Sequence, residues 1–174
     1  LVGVIDADAG LFGGDMRAIE KTYNMLQQVS GRAGRSQQPG KVIIQTYYPE
    51  QTIIQSLQKR DRSSFINQAL AEREQFKIPP FGFMTAIIIS GSSKANVEKS
   101  AQQLVYVKKL SDEISVLGPV EAPLNLLKGQ FRYRILLKGQ SRKKLNIFTK
   151  TMINLAKIPS AVRVVIDVDP YTFM

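Results

Sequence analysis

Two consecutive prolines, Pro79-Pro80, constrain the fold more than any other feature of the sequence. A proline cannot donate a backbone hydrogen bond and it disfavours a helical residue before it, so a regular helix does not run through this pair. Helical patterns precede the two prolines, and a new strand pattern follows them. The sequence therefore predicts two domains, residues 1–80 and residues 81–174.

The first of these domains has the pattern of an α/β fold. Leu1–Ala7 is short, apolar and β-branched like a buried strand, Arg17 to Ser30 shows helical spacing, and Lys41–Tyr47 predicts a second strand. A strand, a helix and a strand in this order form a βαβ unit, which implies a parallel sheet. Helices are expected over 51–60 and 63–76. The expected buried stripes of the three helices include Ile19, Tyr23, Leu26, Val29, Ile53, Ile54, Leu57, Phe65, Ile66, Ala69 and Leu70.

The second domain has the pattern of an antiparallel α+β fold. The expected elements are strand 83–90, helix 94–110, strand 114–120, a loop over 125–130, strand 131–138, helix 141–156 and strand 162–169. The order βαββαβ is that of the split-βαβ, ferredoxin-like plan, in which two helices cover one face of the sheet. Strand 131–138 alternates strictly, so its basic residues should lie on the face away from the helices. The last helix should bury Leu145, Phe148, Met152 and Leu155.

Two residue types that often ligate metals or act in catalysis are absent from the chain. It contains no cysteine and no histidine, which excludes disulfides, thiolate zinc sites, cysteine nucleophiles and His-based triads. No apolar run approaches the about 20 residues of a membrane-spanning helix, so no membrane partner is expected. The first strand has no initiator methionine before it, and we expect a piece of a longer cytosolic chain.

Positive charge is concentrated in the second half. The formal net charge is +10, of which residues 81–174 carry +8, and no acidic residue occurs between Glu121 and Asp167. Such a cluster favours a polyanionic partner. The alternative is a solvated basic surface without a partner.

The stretch Gln28–Arg35, with the sequence QVSGRAGR, carries the strongest chemical signal. On a helix Gln28, Arg32 and Arg35 form one stripe, and the two glycines leave room for another surface to approach it. Two guanidinium groups and an amide suit a phosphoryl group, because arginine stays charged and binds oxygens bidentately. The alternative is an ordinary basic helix end that complements the helix dipole.

The same stretch resembles motif VI of superfamily 2 helicases, and its form is close to that of the primosomal replication-restart helicases, the PriA family. Leu1–Asp8 followed by Gly10-Leu11 resembles motif V. Further similarities follow in family order across essentially the whole chain: Asp15-x-Arg17-Ala18-x-Glu20, Lys41–Thr46, Ala71-Glu72-Arg73, Pro79-Pro80, Leu117–Val120 and Asp167–Pro170.

The resemblance implies that residues 1–80 end a RecA-like helicase lobe and that 81–174 form the family's C-terminal domain. Arg32 and Arg35 would be catalytic arginine fingers, and Gln28 and Gly31 would complete this half of an ATP and Mg²⁺ site. The first lobe, with its phosphate loop, and the family's zinc insertion are not in this sequence. The chain alone is therefore expected not to hydrolyse ATP.

Two pairs of closely spaced aspartates are candidate metal ligands. Asp6 and Asp8 follow the first strand, but no third ligand lies nearby in sequence. The resemblance implies that they couple the nucleotide cleft to the DNA track, and loop capping is the alternative. Asp167 and Asp169 are expected to be turn and cap residues before Pro170.

The basic residues of the second domain suggest two interaction surfaces. Lys128, Arg132, Arg134 and Lys138 are candidate DNA contacts, whereas Tyr133 is expected in the core. Arg142 and Asn146 are i, i+4 neighbours at a helix start, where positive charge opposes the helix dipole. The resemblance implies that they bind the acidic C-terminal tail of single-stranded-DNA-binding protein.

Two functions from different classes remain open from the sequence. In the first, the chain is the C-terminal part of an ATP-dependent 3′–5′ DNA helicase that acts on branched and single-stranded DNA in the bacterial cytoplasm and nucleoid. It would restart stalled replication forks with other primosome proteins. In the second, it is a stand-alone, non-catalytic nucleic-acid and protein-binding module from a truncated gene.

Overall fold

The computed structural model describes residues 1–11, 17–33, 40–106 and 111–170. The chain divides into two compact units, Leu1–Ala71 and a second unit that begins at Glu72. The division lies some residues before Pro79-Pro80, where the sequence places the domain boundary. The assignment of residues 1–80 and 81–174 to separate functional domains stays a prediction.

The first unit contains a βαβ arrangement followed by two helices. Its elements are β1 (Val2–Val4), α1 (Ala18–Ala33), β2 (Val42–Ile44), α2 (Thr52–Lys59) and α3 (Arg62–Gln75), whose last residues belong to the second unit. β1 and β2 pair in parallel, with Val2 opposite Val42 and Val4 opposite Ile44. The parallel βαβ prediction is therefore confirmed, but the strands are shorter than Leu1–Ala7 and Lys41–Tyr47.

The first strand ends early because the backbone turns at Asp6. This residue has a φ of 53°, in the left-handed region, and a short 3₁₀ helix follows at Ala7–Gly10. The sheet has two strands among the described residues. A larger RecA-like parallel sheet, as the resemblance implies, is not confirmed.

A small core holds the first unit together. Tyr23 and Leu26 of α1 pack with Ile53 and Ile54 of α2, and the ring of Phe65 stacks on that of Tyr23 at a centroid distance of 4.0 Å. The sequence also expected Ile19, Ile66 and Leu70 in this core, and that expectation is wrong, since all three side chains are exposed. Ile19 lies in the first turn of α1, and Ile66 and Leu70 share an outer face of α3.

The second unit has the split-βαβ plan. Its elements are β3 (Phe83–Gly91), α4 (Lys94–Tyr106), β4 (Ser115–Leu127), β5 (Gln130–Gly139), α5 (Arg142–Leu155) and β6 (Arg163–Val168). The strand order is β4-β5-β3-β6, and all three neighbouring pairs are antiparallel. Both the element order and the antiparallel sheet agree with the prediction.

Both helices of this unit pack on one face of the sheet. Val97, Ala101 and Leu104 of α4 meet Leu145, Phe148 and Met152 of α5 over strand residues such as Ile135 and Leu137. Tyr133 is buried in this core, as expected. Leu155, also expected there, is exposed because it lies in the last turn of α5, beyond the end of the packed stripe.

The predicted loop over 125–130 is wrong. β4 continues to Leu127, which pairs with Gln130, so only Lys128 and Gly129 connect the two strands. Both residues have positive φ, 51° and 73°, as the two-residue type I′ hairpin turn requires. Lys-Gly differs from the Asn-Gly pair that usually marks this turn, so the sequence pattern predicts a longer loop.

None of the helices in the described part of the chain is both long enough and apolar enough to cross a lipid bilayer.

Candidate functional site

The outward face of α1 carries the best-defined candidate site. Tyr23 and Leu26 are buried, whereas Gln28 and Arg32 are exposed. At about 100° of rotation per residue, Arg32 lies on the opposite side of the helix from Tyr23. The helix is therefore anchored by one face and presents the amide and the guanidinium to its surroundings on the other. Arg35 lies outside the described residues.

Gly31 keeps this part of the helix accessible. A Cβ atom added at Gly31 would meet no heavy atom within 4 Å, so packing inside the described structure does not require a glycine there. The open space is consistent with the approach of another surface. Gly31 also lines a cavity of about 660 Å³ between α1, β2 and α2, to which Arg60 and Arg62 contribute. Arg60 and Arg62 lie in none of the sequence motifs, so the sequence predicts no site role for them.

The two aspartates that follow β1 have different environments. Asp8 is buried, and its carboxylate accepts hydrogen bonds from Thr46 Oγ1 at 2.5 Å and from the backbone N–H of Tyr47 at 2.7 Å. Asp6 is exposed. The described residues contain no group of three carboxylate, cysteine or histidine side chains that could hold a metal ion. Asp8 therefore fixes the chain after β2, and its coupling role stays a prediction.

The four candidate DNA-binding residues are not equally accessible. Lys128 is exposed in the hairpin turn, and Arg132 and Lys138 are half-buried on the sheet face away from the helices. Lys138 Nζ donates to the carbonyl oxygen of Phe76 at 2.9 Å. Arg134 shares that face, but it is only 7% exposed.

Arg134 is the most unusual charged residue of the described structure. Its Nε and Nη2 atoms are buried and have no hydrogen-bond partner there. Burial lowers the pKa of Arg134, and the nearby charge of Arg132 lowers it further. Burial of these two atoms without hydrogen-bond partners is unfavourable, and the nearby charge of Asp167 offsets only part of the cost.

Arg142 has partners within its own unit. Its Nη2 lies 2.6 Å from Oδ2 of Asp169, and its guanidinium carbon lies 5.0 Å from the centre of the Phe83 ring. Asp169 also closes the end of the sheet, because its Oδ1 accepts from the backbone N–H of Met84 at 3.2 Å. The expected turn role of Asp169 agrees with its φ of 49°. Asn146 is exposed one turn further along α5.

The sequence did not predict a polar network around Glu121. Its carboxylate accepts from Lys94 Nζ at 2.7 Å, from Asn125 Nδ2 at 2.9 Å and from Tyr133 Oη at 3.1 Å. These bonds, the one from Lys94 above all, lower the pKa of Glu121 to about 2. Burial, followed by the bond to Glu121, raises the pKa of Tyr133. The network joins β4 to α4 and to β5, the strand that also carries Arg132 and Arg134.

This network makes a testable prediction about acid stability. Because the folded-state pKa of Glu121 lies below its unfolded value, its contribution to stability is complete above pH about 4.5 and lost as the pH falls toward 2. Glu121→Gln should therefore unfold at lower denaturant concentration than wild type at pH 7, and the difference should shrink below pH 4. Asp112→Asn, at an exposed position, is the control. A difference between wild type and Glu121→Gln that does not change with pH would contradict the prediction.

Comparisons with known proteins identify relatives along almost the whole chain. The sequence pattern of the primosomal protein N C-terminal domain family matches residues 74–171. The replication restart protein PriA of Rickettsia conorii is 39% identical over 173 residues, which are 99% of this chain and 26% of that protein. PriA of Synechocystis is 37% identical over 98% of this chain and 20% of its own length. PriA of Bacillus subtilis is 33% identical over 100% of this chain and 22% of its own length.

The chain thus spans about a fifth to a quarter of the length of these relatives. The family match covers more than half of the chain and includes all of β3 to β6. The chain belongs to the primosomal protein N C-terminal domain family.

Proposed function

We propose that the chain is the C-terminal part of an ATP-dependent 3′–5′ DNA helicase that restarts stalled replication forks. The relatives are named replication restart proteins, and they are about four times longer than this chain. In the proposal, the first unit contributes one side of the ATP site, and the second unit binds DNA and protein partners. The other side of that site, with the phosphate loop, comes from elsewhere in the longer protein.

The outward face of α1 is the observation that carries the proposal. Gln28 and Arg32 are held on a helix whose opposite face is packed in a core, so they can meet a nucleotide bound by a second lobe. A guanidinium in this position would neutralise the negative charge that develops on a transferring phosphoryl group. Arg35 is proposed to share this role.

The donor set of this face fits the phosphates of ATP and does not fit a metal. The described residues offer no cluster of metal ligands, so the Mg²⁺ that accompanies ATP would be held by other parts of the longer protein. Zinc would be held by an insertion elsewhere in the longer protein, because this chain has neither cysteine nor histidine. Bound Mg²⁺ would supply further charge neutralisation on the phosphate oxygens.

The basic face of the second unit is proposed to bind branched and single-stranded DNA through its phosphates. Lys128 and Arg132 are accessible, and the positive charge of the buried Arg134 lies on the same face of the sheet. Arg142 and Asn146 are proposed to hold the acidic tail of single-stranded-DNA-binding protein, and other primosome proteins would bind elsewhere. With these partners, the protein would act in the bacterial cytoplasm, at the nucleoid.

The DNA-binding part of the proposal predicts a salt-dependent affinity. If the face contacts about four phosphates, the logarithm of the affinity for duplex DNA should fall with the logarithm of the salt concentration at a slope near −0.9 per contact. The triple variant Lys128→Gln, Arg132→Gln and Arg134→Gln should bind more weakly and give a shallower slope. Fluorescence anisotropy at several salt concentrations measures both quantities.

A matched triple variant separates a local surface from the effect of net charge. Lys99, Lys150 and Lys157 are exposed elsewhere on the second unit, and their replacement by glutamine removes the same charge. The slope should then change less than in the first variant. Equal slopes for wild type and the first variant would show that the basic face is a solvated surface without a DNA partner.

A further inference from the structure

A small cavity lies where the two parallel strands of the first unit end. It has a volume of about 310 Å³ and is lined by Asp6, Asp8, Gln45, Thr46 and Tyr47. Ligands of open α/β sheets commonly bind at the carboxyl ends of the strands. This volume accommodates one heterocyclic base and is too small for a whole nucleotide triphosphate.

The walls of the cavity are fixed by hydrogen bonds on both sides. The backbone N–H of Ala7 donates to Gln45 O at 3.0 Å, and that of Gln45 donates to Val4 O at 2.9 Å. Buried Asp8 then accepts from Thr46 and from the N–H of Tyr47. The backbone of Tyr47 is therefore bonded to a buried carboxylate, and the two residues before it, Gln45 and Thr46, are bonded to the first strand segment as well.

Tyr47 itself leaves its ring in solvent. The residue is 85% exposed, although its backbone is tied to a buried carboxylate. An aromatic ring on a fixed backbone loses little conformational freedom when another ring stacks on it. Stacking of a base on such a ring is favourable and independent of the base sequence.

The polar groups of the cavity select the kind of base. Asp6 is exposed beside the cavity, and its carboxylate accepts hydrogen bonds but cannot donate them. The amino groups of cytosine, adenine and guanine offer donors to a carboxylate, whereas the single N3–H donor of uracil and thymine lies between two carbonyl oxygens that repel it. Two carboxylates repel a phosphate, so the edge of the base, and not the backbone, would enter.

We propose that this cavity binds a single unstacked nucleobase with an exocyclic amino group, with its ring against Tyr47 and its amino group on Asp6. The nucleobase would belong to a single strand of nucleic acid, and this part of the inference rests on the proposed function of the chain. The cavity would then hold one base at the motif V segment, a contact with the base in addition to contacts with the backbone.

The test compares two exposed tyrosines. Tyr47→Ala in the 174-residue chain should weaken the binding of a short oligodeoxycytidine by about tenfold in fluorescence anisotropy, as the loss of one stacked base implies. Tyr106→Ala is the matched control, since Tyr106 is 89% exposed at the end of α4 and far along the chain from the cavity. Tyr47→Phe should bind like wild type because stacking does not need the hydroxyl group.

Asp6→Asn tests the choice of base. Asparagine tolerates the left-handed backbone of Asp6 and can both donate and accept, so the preference for oligodeoxycytidine over oligodeoxyuridine should shrink. Deoxycytidine monophosphate is the second arm. If it binds as tightly as the oligonucleotide and with the same dependence on Tyr47, the source is a free nucleotide.

Two results would overturn the inference. One is an equal affinity of Tyr47→Ala and Tyr106→Ala for oligodeoxycytidine, and the other is the absence of any binding by the wild-type chain. Neither result bears on Arg32, whose role is tested by ATP hydrolysis in the longer protein. Failure of the cavity and failure of the helicase proposal are therefore distinguishable.

Discussion

Arg32→Ala, introduced into the full-length helicase that we propose contains this chain, should lower the maximal rate of DNA-stimulated ATP hydrolysis by roughly 10³-fold. Arg32 is exposed on the face of α1 opposite its packed side, so its removal leaves the core of the first unit unchanged. The loss should fall on the catalytic rate, while ATP still binds with nearly its original affinity. Steady-state kinetics and binding of a fluorescent nucleotide measure the two effects separately.

Lys59→Ala gives a control for this experiment. Lys59 is an exposed cation in the last turn of α2, in the same unit, and its removal should not change the catalytic rate. Arg35→Ala should resemble Arg32→Ala. Unchanged rates in both arginine variants would refute the arginine-finger role. The 174-residue chain alone should hydrolyse no ATP above the background of its own Arg32→Ala variant.

Arg142→Ala should weaken binding of the acidic tail peptide of single-stranded-DNA-binding protein by roughly ten- to a hundredfold, the cost of one charge-assisted contact. The guanidinium is already oriented by Phe83 and by the carboxylate of Asp169. A terminal carboxylate of the peptide would bind Arg142 beside the carboxylate of Asp169 or in its place. Asn146→Ala should have a smaller effect, and titration of a labelled peptide measures all of these affinities.

Asp169 provides an independent check of this geometry. Asp169→Asn keeps an acceptor for the N–H of Met84 but removes the internal negative charge that competes for Arg142. Binding of the tail peptide should therefore become tighter in this variant. Lys143→Ala, next to Arg142 on the exposed side of α5, is the control for net charge. Equal affinities of wild type and Arg142→Ala would show that the tail binds elsewhere.

Local periodicity was enough to predict most of the elements. The alternation from Phe131 to Leu137 and the stripe of Val97, Ala101 and Leu104 each describe one face of one element. Both faces pack into the core as expected, with Phe131 partly buried. The parallel pairing of β1 with β2 follows from the order strand, helix, strand. These features depend on residues that are close in sequence, which explains their success.

Features that depend on distant residues were missed. Periodicity cannot show where a packed stripe ends. It therefore predicts Ile19 and Leu155 in the core, although both side chains are exposed. Lys128 adopts positive φ because the register of β4 and β5 leaves two residues for the turn. No local pattern requires that conformation of a lysine.

The candidate sites show the same limit. The position of Arg32 on an exposed helix face followed from its spacing to Gln28. The burial of Arg134 did not, because it depends on neighbouring strands that the alternation of β5 alone cannot describe. The bonds from Lys94 to Glu121 and from Tyr47 to Asp8 join residues far apart in the chain.

The two-stranded sheet of the first unit has a consequence for the behaviour of the chain in solution. Within the described residues β1 and β2 pair only with each other, and Ile5 and Ile43 are exposed beside them. Each strand therefore presents one row of unpaired amides and carbonyls, which is a template for a strand of another molecule. The long outer strand β4 of the second unit is interrupted by Pro119, Pro123 and two register shifts, features that discourage such pairing. In the first unit, self-association at high concentration would therefore begin at these two strand edges.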